Sequence, residues 1–298
     1  AVLHFSYGHF FQMPPMYAMY QNNSFLVDPN NFVTRMGNTL LEPEKTITYE
    51  IGLWQELNQV MALDVALFYR DIYNLLTTKT ISTYNQVKYG LYSNKDYGNV
   101  RGLELKLDLA MGQLKGMVNY TLQYTRGNAD SPGQTFDRAG NNQDPVNRLI
   151  PMGWDQRHTL NGSLIYGTEK YGGSMTAYYN SGSPYTFAPQ SESVLSRINL
   201  YPNNDYRPEK YSVDCSFYYR FKLPGGYNAN LDVNIYNLFD RLNEEWVNDQ
   251  TGRAYTAVIK ETDIAGHRSD FNDYEDRIKN PSMYSSPRMV KIGIGVNF

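Results

Sequence analysis

Residues 288–298 read R-M-V-K-I-G-I-G-V-N-F, with Val290, Ile292, Ile294, Val296 and Phe298 on one parity and Met289, Lys291, Gly293, Gly295 and Asn297 on the other. A period of two predicts a strand with unlike faces. The same alternation recurs upstream. Residues 2–10 predict a first strand. In residues 45–57, Ile47, Tyr49, Ile51 and Leu53 oppose Thr46, Thr48, Glu50 and Gly52. The third strand sets Met61, Leu63, Val65, Leu67 and Tyr69 against Asp64, Phe68 and Arg70. The clearest run is 100–111, where Leu103, Leu105, Leu107, Leu109 and Met111 alternate with Glu104, Lys106 and Asp108. Residues 114–124, 157–167, 172–181, 211–222 and 229–235 continue the pattern.

Punctuation between the runs is uneven in a regular way. Asn58-Gln59, Gly112-Gln113, residues 168–171 and Leu223-Pro224-Gly225-Gly226 are tight reversals. Between them lie connections of roughly 27 to 50 residues, far above the usual loop length, which marks them as functional. One, residues 11–44, carries Met13-Pro14-Pro15-Met16 and Asp28-Pro29-Asn30-Asn31. Another is expected between the third strand and residue 100.

Composition narrows the setting. The 298 residues are 41% hydrophobic and 14% aromatic, with 27 Tyr and a net charge of -3. Mean hydropathy is -0.55, and no stretch approaches the roughly 20 continuous apolar residues of a bilayer helix. Membrane strands escape that test, because only alternate residues meet lipid. A pI near 5.9 with scattered Lys and Arg excludes a nucleic-acid partner. The single Cys215 excludes an internal disulfide framework and falls on an apolar parity, as a small lipid-facing or buried side chain would.

A β-sandwich also alternates. The strict succession of short turns and long loops favours a transmembrane antiparallel β-barrel instead, with tight periplasmic turns at one end and extracellular loops at the other. Tyrosines near strand ends suggest interfacial girdles: Tyr89, Tyr92 and Tyr97; Tyr166 and Tyr171; Tyr178, Tyr179 and Tyr185; Tyr206 and Tyr211. With short turns in the periplasm, the last strand runs inward and leaves Phe298 there, provided that residues 252–259 belong to the last extracellular loop. The reading gives about ten spanning strands. An open sheet in lipid costs several kcal/mol per unpaired edge group, so ten strands either close alone or complete a larger barrel. Because Ala1 falls inside a strand pattern, residues 1–298 are expected to be the C-terminal part of a larger barrel, with the first strands elsewhere.

The ordered motifs carry a family resemblance. L-x-P-E-x-T-x-x-Y-E-x-G (Leu41, Pro43, Glu44, Thr46, Tyr49, Glu50, Gly52), F-Y-R-D-I from Phe68, D-Y-G-N-V-R-G-L-E-L from Asp96 and W-D-Q-R-H-T-L-N from Trp154 resemble the barrel of TonB-dependent outer-membrane receptors. S-G-S-P-Y-T from Ser181, N-L-F-D-R from Asn237 and the terminal Phe298 extend the likeness over nearly the whole chain. The resemblance implies a 22-stranded barrel in the outer membrane of a Gram-negative bacterium, with D-Y-G-x-V-x-G and W-D-Q-R-H similar to receptors of Bacteroidota. It also implies a plug domain, a TonB energy complex reached through the absent N-terminal part, and uptake of an iron chelate, cobalamin, glycan or peptide. Neither the plug nor the TonB-contacting segment lies in residues 1–298, leaving open a fragment, a split half or a structural barrel.

Residues with chemistry are few. Asp155 and His158 form a candidate acid/base pair without a nucleophile, so a hydrogen-bonded loop base is expected and no enzyme. Asp137, Asn141, Asn142 and Asp144, and Asp270, Asn272, Asp273, Glu275 and Asp276, offer calcium-type oxygens without the spacing of a calcium loop. Arg70, Glu104, Lys106, Asp108 and Arg220 are expected to face the lumen and to pair with a plug or each other. Tyr17, Tyr20, Tyr84 and Tyr185 are candidates for stacking on sugars or chelates. Neither catalytic, cofactor nor metal residues are assigned. The uptake receptor competes with a scaffold barrel whose long loops bind an envelope protein partner.

Overall fold

The computed structural model describes residues 1–22, 34–188, 200–254 and 280–297. Fourteen strands and two short α-helices follow in the order β1 (Val2–Gln12), α1 (Met16–Tyr20), β2 (Arg35–Met36), β3 (Glu44–Asn58), β4 (Met61–Ser82), β5 (Lys88–Met111), β6 (Leu114–Gly127), α2 (Gln134–Gly140), β7 (Ile150–Pro151), β8 (His158–Gly167), β9 (Tyr171–Asn180), β10 (Pro184–Tyr185), β11 (Asp205–Tyr206), β12 (Lys210–Lys222), β13 (Asn228–Tyr236) and β14 (Met289–Asn297). Ten of them form one antiparallel meander, β1-β3-β4-β5-β6-β8-β9-β12-β13-β14, in which every strand pairs with its neighbours in sequence. These are the ten predicted strands. Along this path β1 and β14 each have a partner on one side only.

Register turns the alternation of single strands into continuous rows. Leu53 lies opposite Val65, Val65 opposite Leu105, Leu105 opposite Tyr120, Tyr120 opposite Leu160 and Leu160 opposite Tyr179. Two steps along the same face, Leu109, Gly116, Leu164, Met175, Cys215, Ile235 and Val290 form another row. The opposite face carries Asp64, Lys106, Asn119, Asn161, Tyr178 and Ser212 in register. Among the described residues no second sheet stacks on the apolar rows: the remaining sheet there is the two-residue pair β10-β11. Apolar side chains therefore stay exposed, with Ile292 at 68% and Ile294 at 73%. A wall that is apolar outside and polar inside suits lipid on one side and a filled lumen on the other. No helix among the described residues is long and apolar enough to cross a membrane.

Aromatic rings border the apolar band. At the long-loop end Tyr7, Tyr49 and Tyr69 form a ladder with ring centroids 5.1 and 6.5 Å apart, and Tyr73 lies 5.5 Å from Tyr97. At the short-turn end Tyr166 lies 6.1 Å from Tyr171, and Tyr219 stacks on Phe221 at 6.0 Å. Several girdle assignments change. Tyr178, one residue from outward Tyr179, faces inward, as the two-residue period requires. Tyr92, Tyr185 and Tyr206 belong to packed loop structure, Tyr92 and Tyr185 being 5% and 7% exposed.

The largest correction concerns residues 71–99, expected as a connection. β4 continues to Ser82 and β5 starts at Lys88, so a hairpin extension rises above the sheet with only residues 83–87 as its turn. Beyond the bilayer neither face of this ribbon meets lipid: Leu76 and Tyr92 pack with Ala18 among polar neighbours, and the bulges between Ile72 and Leu76 break the alternation that marks a membrane strand. Register slips between Ile72 and Leu76, and Asn74 takes φ 61 there, in the left-handed region that Asn tolerates. In the other long connections the described residues add no further strand to the ten-stranded path. Of residues 252–259 only 252–254 are described; Arg253 and the main-chain N–H of Ala254 both bind Glu244 in the last loop. Asp28-Pro29-Asn30-Asn31, residues 270–276 and Phe298 lie outside the described residues.

Candidate functional site

The long-loop end is a packed layer, and its apolar core is small: Ala18 of α1, Leu41, Leu76 and Tyr92, with Met19 against them. Proline geometry starts α1, since extended Pro15 precedes it and the Gln21 N–H bonds Tyr17 O behind it. A polar clasp ties this layer to the base of the hairpin. Asn94 donates from one amide nitrogen to Glu42 O and Asn74 O, at 2.9 Å each, while Glu42 N–H donates to Asn94 Oδ1 at 2.8 Å.

α2 braces the hairpin from the other side. Its Phe136 is fully buried, and a side chain at Gly90 would meet both Phe136 and Thr78. Arg35 of β2, which pairs with β5, reaches Asp137 of α2 with Oδ1 at 2.6 Å and Oδ2 at 2.7 Å. Between hairpin and helix a cleft of about 710 Å³ opens, within the usual range for small-molecule sites. Thr77, Thr78, Lys79, Thr80, Ser93, Asn94, Lys95 and Asp96 form the hairpin wall; Gln134, Thr135, Arg138, Gln143 and Asn147 stand among the residues opposite. None of the described residues that line it is aromatic.

Charge in this cleft is lopsided. Arg138 donates from Nε to Asp144 O at 3.0 Å, and from Nη2 to Asp144 O at 2.6 Å and Leu200 O at 3.2 Å. All three bonds go to two main-chain carbonyls, and Arg138 has no salt bridge among the described residues. Burial lowers its pKa, an effect partly offset by nearby Asp144. Asp96 is 8% exposed; burial pushes its carboxyl up from the usual range, opposed by a hydrogen bond from Thr77 and by Lys95. Thr78 is 2% exposed, and its hydroxyl has no hydrogen-bond partner among the described residues.

The remaining candidates separate by environment. Asp155 is fully buried; it accepts from Thr125 N–H at 2.7 Å and Tyr206 hydroxyl at 3.0 Å, with Arg157 Nε at 3.6 Å. His158 instead meets the Tyr120 hydroxyl through Nδ1 at 2.9 Å. The pair is not brought together, and Asp155 is a brace joining β6, β11 and the segment before β8. Asp137 is taken by Arg35, and Asp144 offers Arg138 its carbonyl. On the lumen face Lys106 meets Asp108 at 3.1 Å, while Arg70 and Arg220 lie 4.7 and 4.9 Å over the rings of Phe68 and Tyr218. Of the aromatic candidates, Tyr17, Tyr20 and Tyr84 are exposed. Tyr185 is not: it is buried and donates to Asp205 at 3.2 Å. The cleft residues were missed because L-L-T-T-K-T-I was read as connection; its threonines, good strand formers, were the available signal.

Comparison with known proteins agrees with this architecture. The family model described as TonB dependent receptor-like, beta-barrel matches residues 1–238. A search of curated sequences finds no match. Among solved structures, the ferric-catecholate import receptor Fiu of Escherichia coli K12 is 20% identical, with TM-score 0.51 over 84% of this chain and 30% of its own. FpvA of Pseudomonas aeruginosa, bound to a heterologous pyoverdine with iron, is 14% identical, with TM-score 0.54 over 98% and 30%. The siderophore receptor PirA of Acinetobacter baumannii is 14% identical, with TM-score 0.53 over 84% and 36%. The chain thus spans about a third of the length of these receptors, and at such identities the likeness shows the fold alone. With an apolar outer face, a polar inner one and a family match over most of its length, this chain belongs to the β-barrel family of the TonB-dependent outer-membrane receptors.

Proposed function

We propose that the chain is the C-terminal wall of a larger TonB-dependent barrel that takes up a scarce solute with energy from the inner membrane. The observation that carries this reading is the braced loop layer, with its polar cleft, on one end of a membrane wall. Remaining strands are expected to pair with the free sides of β1 and β14, a plug to meet the lumen face, and the short turns with Phe298 to lie in the periplasm. An outer membrane of Gram-negative type follows from the family, and a Bacteroidota source is the finer lineage reading of D-Y-G-x-V-x-G and W-D-Q-R-H. An iron chelate is proposed as cargo, beside cobalamin, glycan or peptide, in line with Fiu, described as a ferric-catecholate import receptor, and PirA, described as a siderophore receptor.

The test is accumulation of labelled solutes by cells carrying the intact gene, with and without a proton-motive-force uncoupler. Uptake that collapses with the uncoupler and with deletion of the gene supports the reading; uptake unaffected by both overturns it.

A scaffold barrel remains as the second reading. It is favoured by the apolar side chains around α1, where Met13, Met16, Tyr20 and Leu40 are 65%, 72%, 60% and 85% exposed, a setting that suits a protein partner. Stable co-purification of an envelope protein, lost when Met16 and Tyr20 become Ser while energised uptake is absent throughout, would replace the first reading with this one.

A further inference from the structure

The geometry points to the cleft between the β4–β5 hairpin and α2 as the seat of a small, hydroxyl-rich solute bearing a carboxylate or phosphate, an assignment that rests on the uptake reading. Three observations converge. Lys79, Lys95 and Arg138 line the cleft against one lining carboxyl, Asp96, and that carboxyl is buried beside Thr77. The Arg138 guanidinium is held in place by main-chain carbonyls, and the Asp144 carboxylate acts on its charge without forming a salt bridge with it. An anion would supply the charge-assisted bonds that such a group favours.

Thr78 supplies the second, independent pointer. A hydroxyl buried without a partner costs free energy, and this one lies in the lining of the cleft. A ligand oxygen there would repair the deficit as donor or acceptor. The hydroxyls, amides and cations of the lining select an oxygen-rich anion.

The experiment is calorimetric titration of the intact protein, in nanodiscs of neutral phosphatidylcholine, with glucose 6-phosphate, glucuronate and glucose. At least one charged sugar is expected to bind, and glucose at least tenfold more weakly. Arg138→Gln and Thr78→Val should each weaken the charged sugar by about tenfold or more. Thr78→Val should leave thermal stability unchanged or raised, because it replaces an unpaired buried hydroxyl with a methyl of the same shape. Equal binding of glucose, no binding by either charged sugar, or unaltered affinity in Thr78→Val would overturn the assignment. Nanodiscs containing phosphatidic acid distinguish a lipid source: if they abolish sugar binding, the occupant is a headgroup and the solute assignment falls. Uncoupler-sensitive uptake separates the two readings. Failed binding with persisting energised uptake removes this site alone; binding without energised uptake removes the transport reading and leaves an anion site.

Discussion

Gly102 and Phe68 illustrate how motif residues act on each other. A side chain at position 102 would lie 2.4 Å from Phe68 Cζ and 2.3 Å from Leu122 O, so the glycine of V-R-G-L-E-L makes room for the ring of F-Y-R-D-I and lets β5 approach β6. Gly102→Ala should destabilise the folded barrel by about 1–3 kcal/mol through overpacking, read as a lower denaturant midpoint in vesicles. Adding Phe68→Ala should recover only part of it, since the Leu122 carbonyl remains; full recovery would assign the whole effect to the ring. Asp155→Ala should cost ~1–3 kcal/mol for each buried donor left unpaired, while Asp155→Asn, which still offers Thr125 an acceptor, should cost less. Greater protease sensitivity of the loop carrying β11 in the Ala variant is the accompanying sign, and equal losses in both variants would contradict the brace. These roles were only partly legible. Asp155 and His158 were visible as candidates, but proximity in sequence says nothing of burial, and one step of alternation sends them into different environments.

At the scale of elements, the ten membrane strands were legible because lipid enforces a strict period of two, and the register repeats what each strand shows alone. The hairpin extension was not, because above the lipid its faces pack on loops of mixed character and the bulges at residues 72–76 shift the period. Tyr185 tests how the β10-β11 element is held. Burial, with Asp205 beside it, pushes its phenol up to about 12. A raised folded-state pKa means that the neutral phenol is favoured on folding. Its contribution is therefore complete below the unfolded value of about 10 and fades as pH rises from there through about 12. Hydrogen exchange or proteolysis of the β10-β11 element should accelerate over that interval in the natural protein. Tyr185→Phe should lose the Asp205 bond and flatten this pH dependence; an unaltered profile would assign it to other tyrosines.

For the whole molecule, the decisive property is which face meets lipid. Leu105 lies mid-strand on the outward rows, so Leu105→Lys should destabilise insertion by ~2–4 kcal/mol, measured as refolding into vesicles. Lys106→Gln, on the lumen face, should stay within a few tenths of that scale unless its pair with Asp108 matters more than an exposed ion pair usually does. A tolerated Leu105→Lys would refute the outward assignment. The free sides of β1 and β14 make a second global test. In the intact protein every amide of β14 should exchange slowly, because a closed barrel pairs both sides of each strand; fast exchange at alternate positions would describe an open edge and contradict closure.

The long hairpin also fixes a height. Taking Tyr73 and Tyr97 as the membrane border, the remaining stretch of β4 rises roughly 3.3 Å per residue, which at a tilt near 45° carries its tip about 20 Å above the interface. Polar headgroups occupy only roughly the first 5–8 Å of that ascent. Anything captured beside the ribbon's upper half is thus met above the headgroups rather than among them. The ribbon works as a mast: its stiffness, and therefore the props supplied by Phe136 and Arg35, sets how far from the cell body first contact takes place.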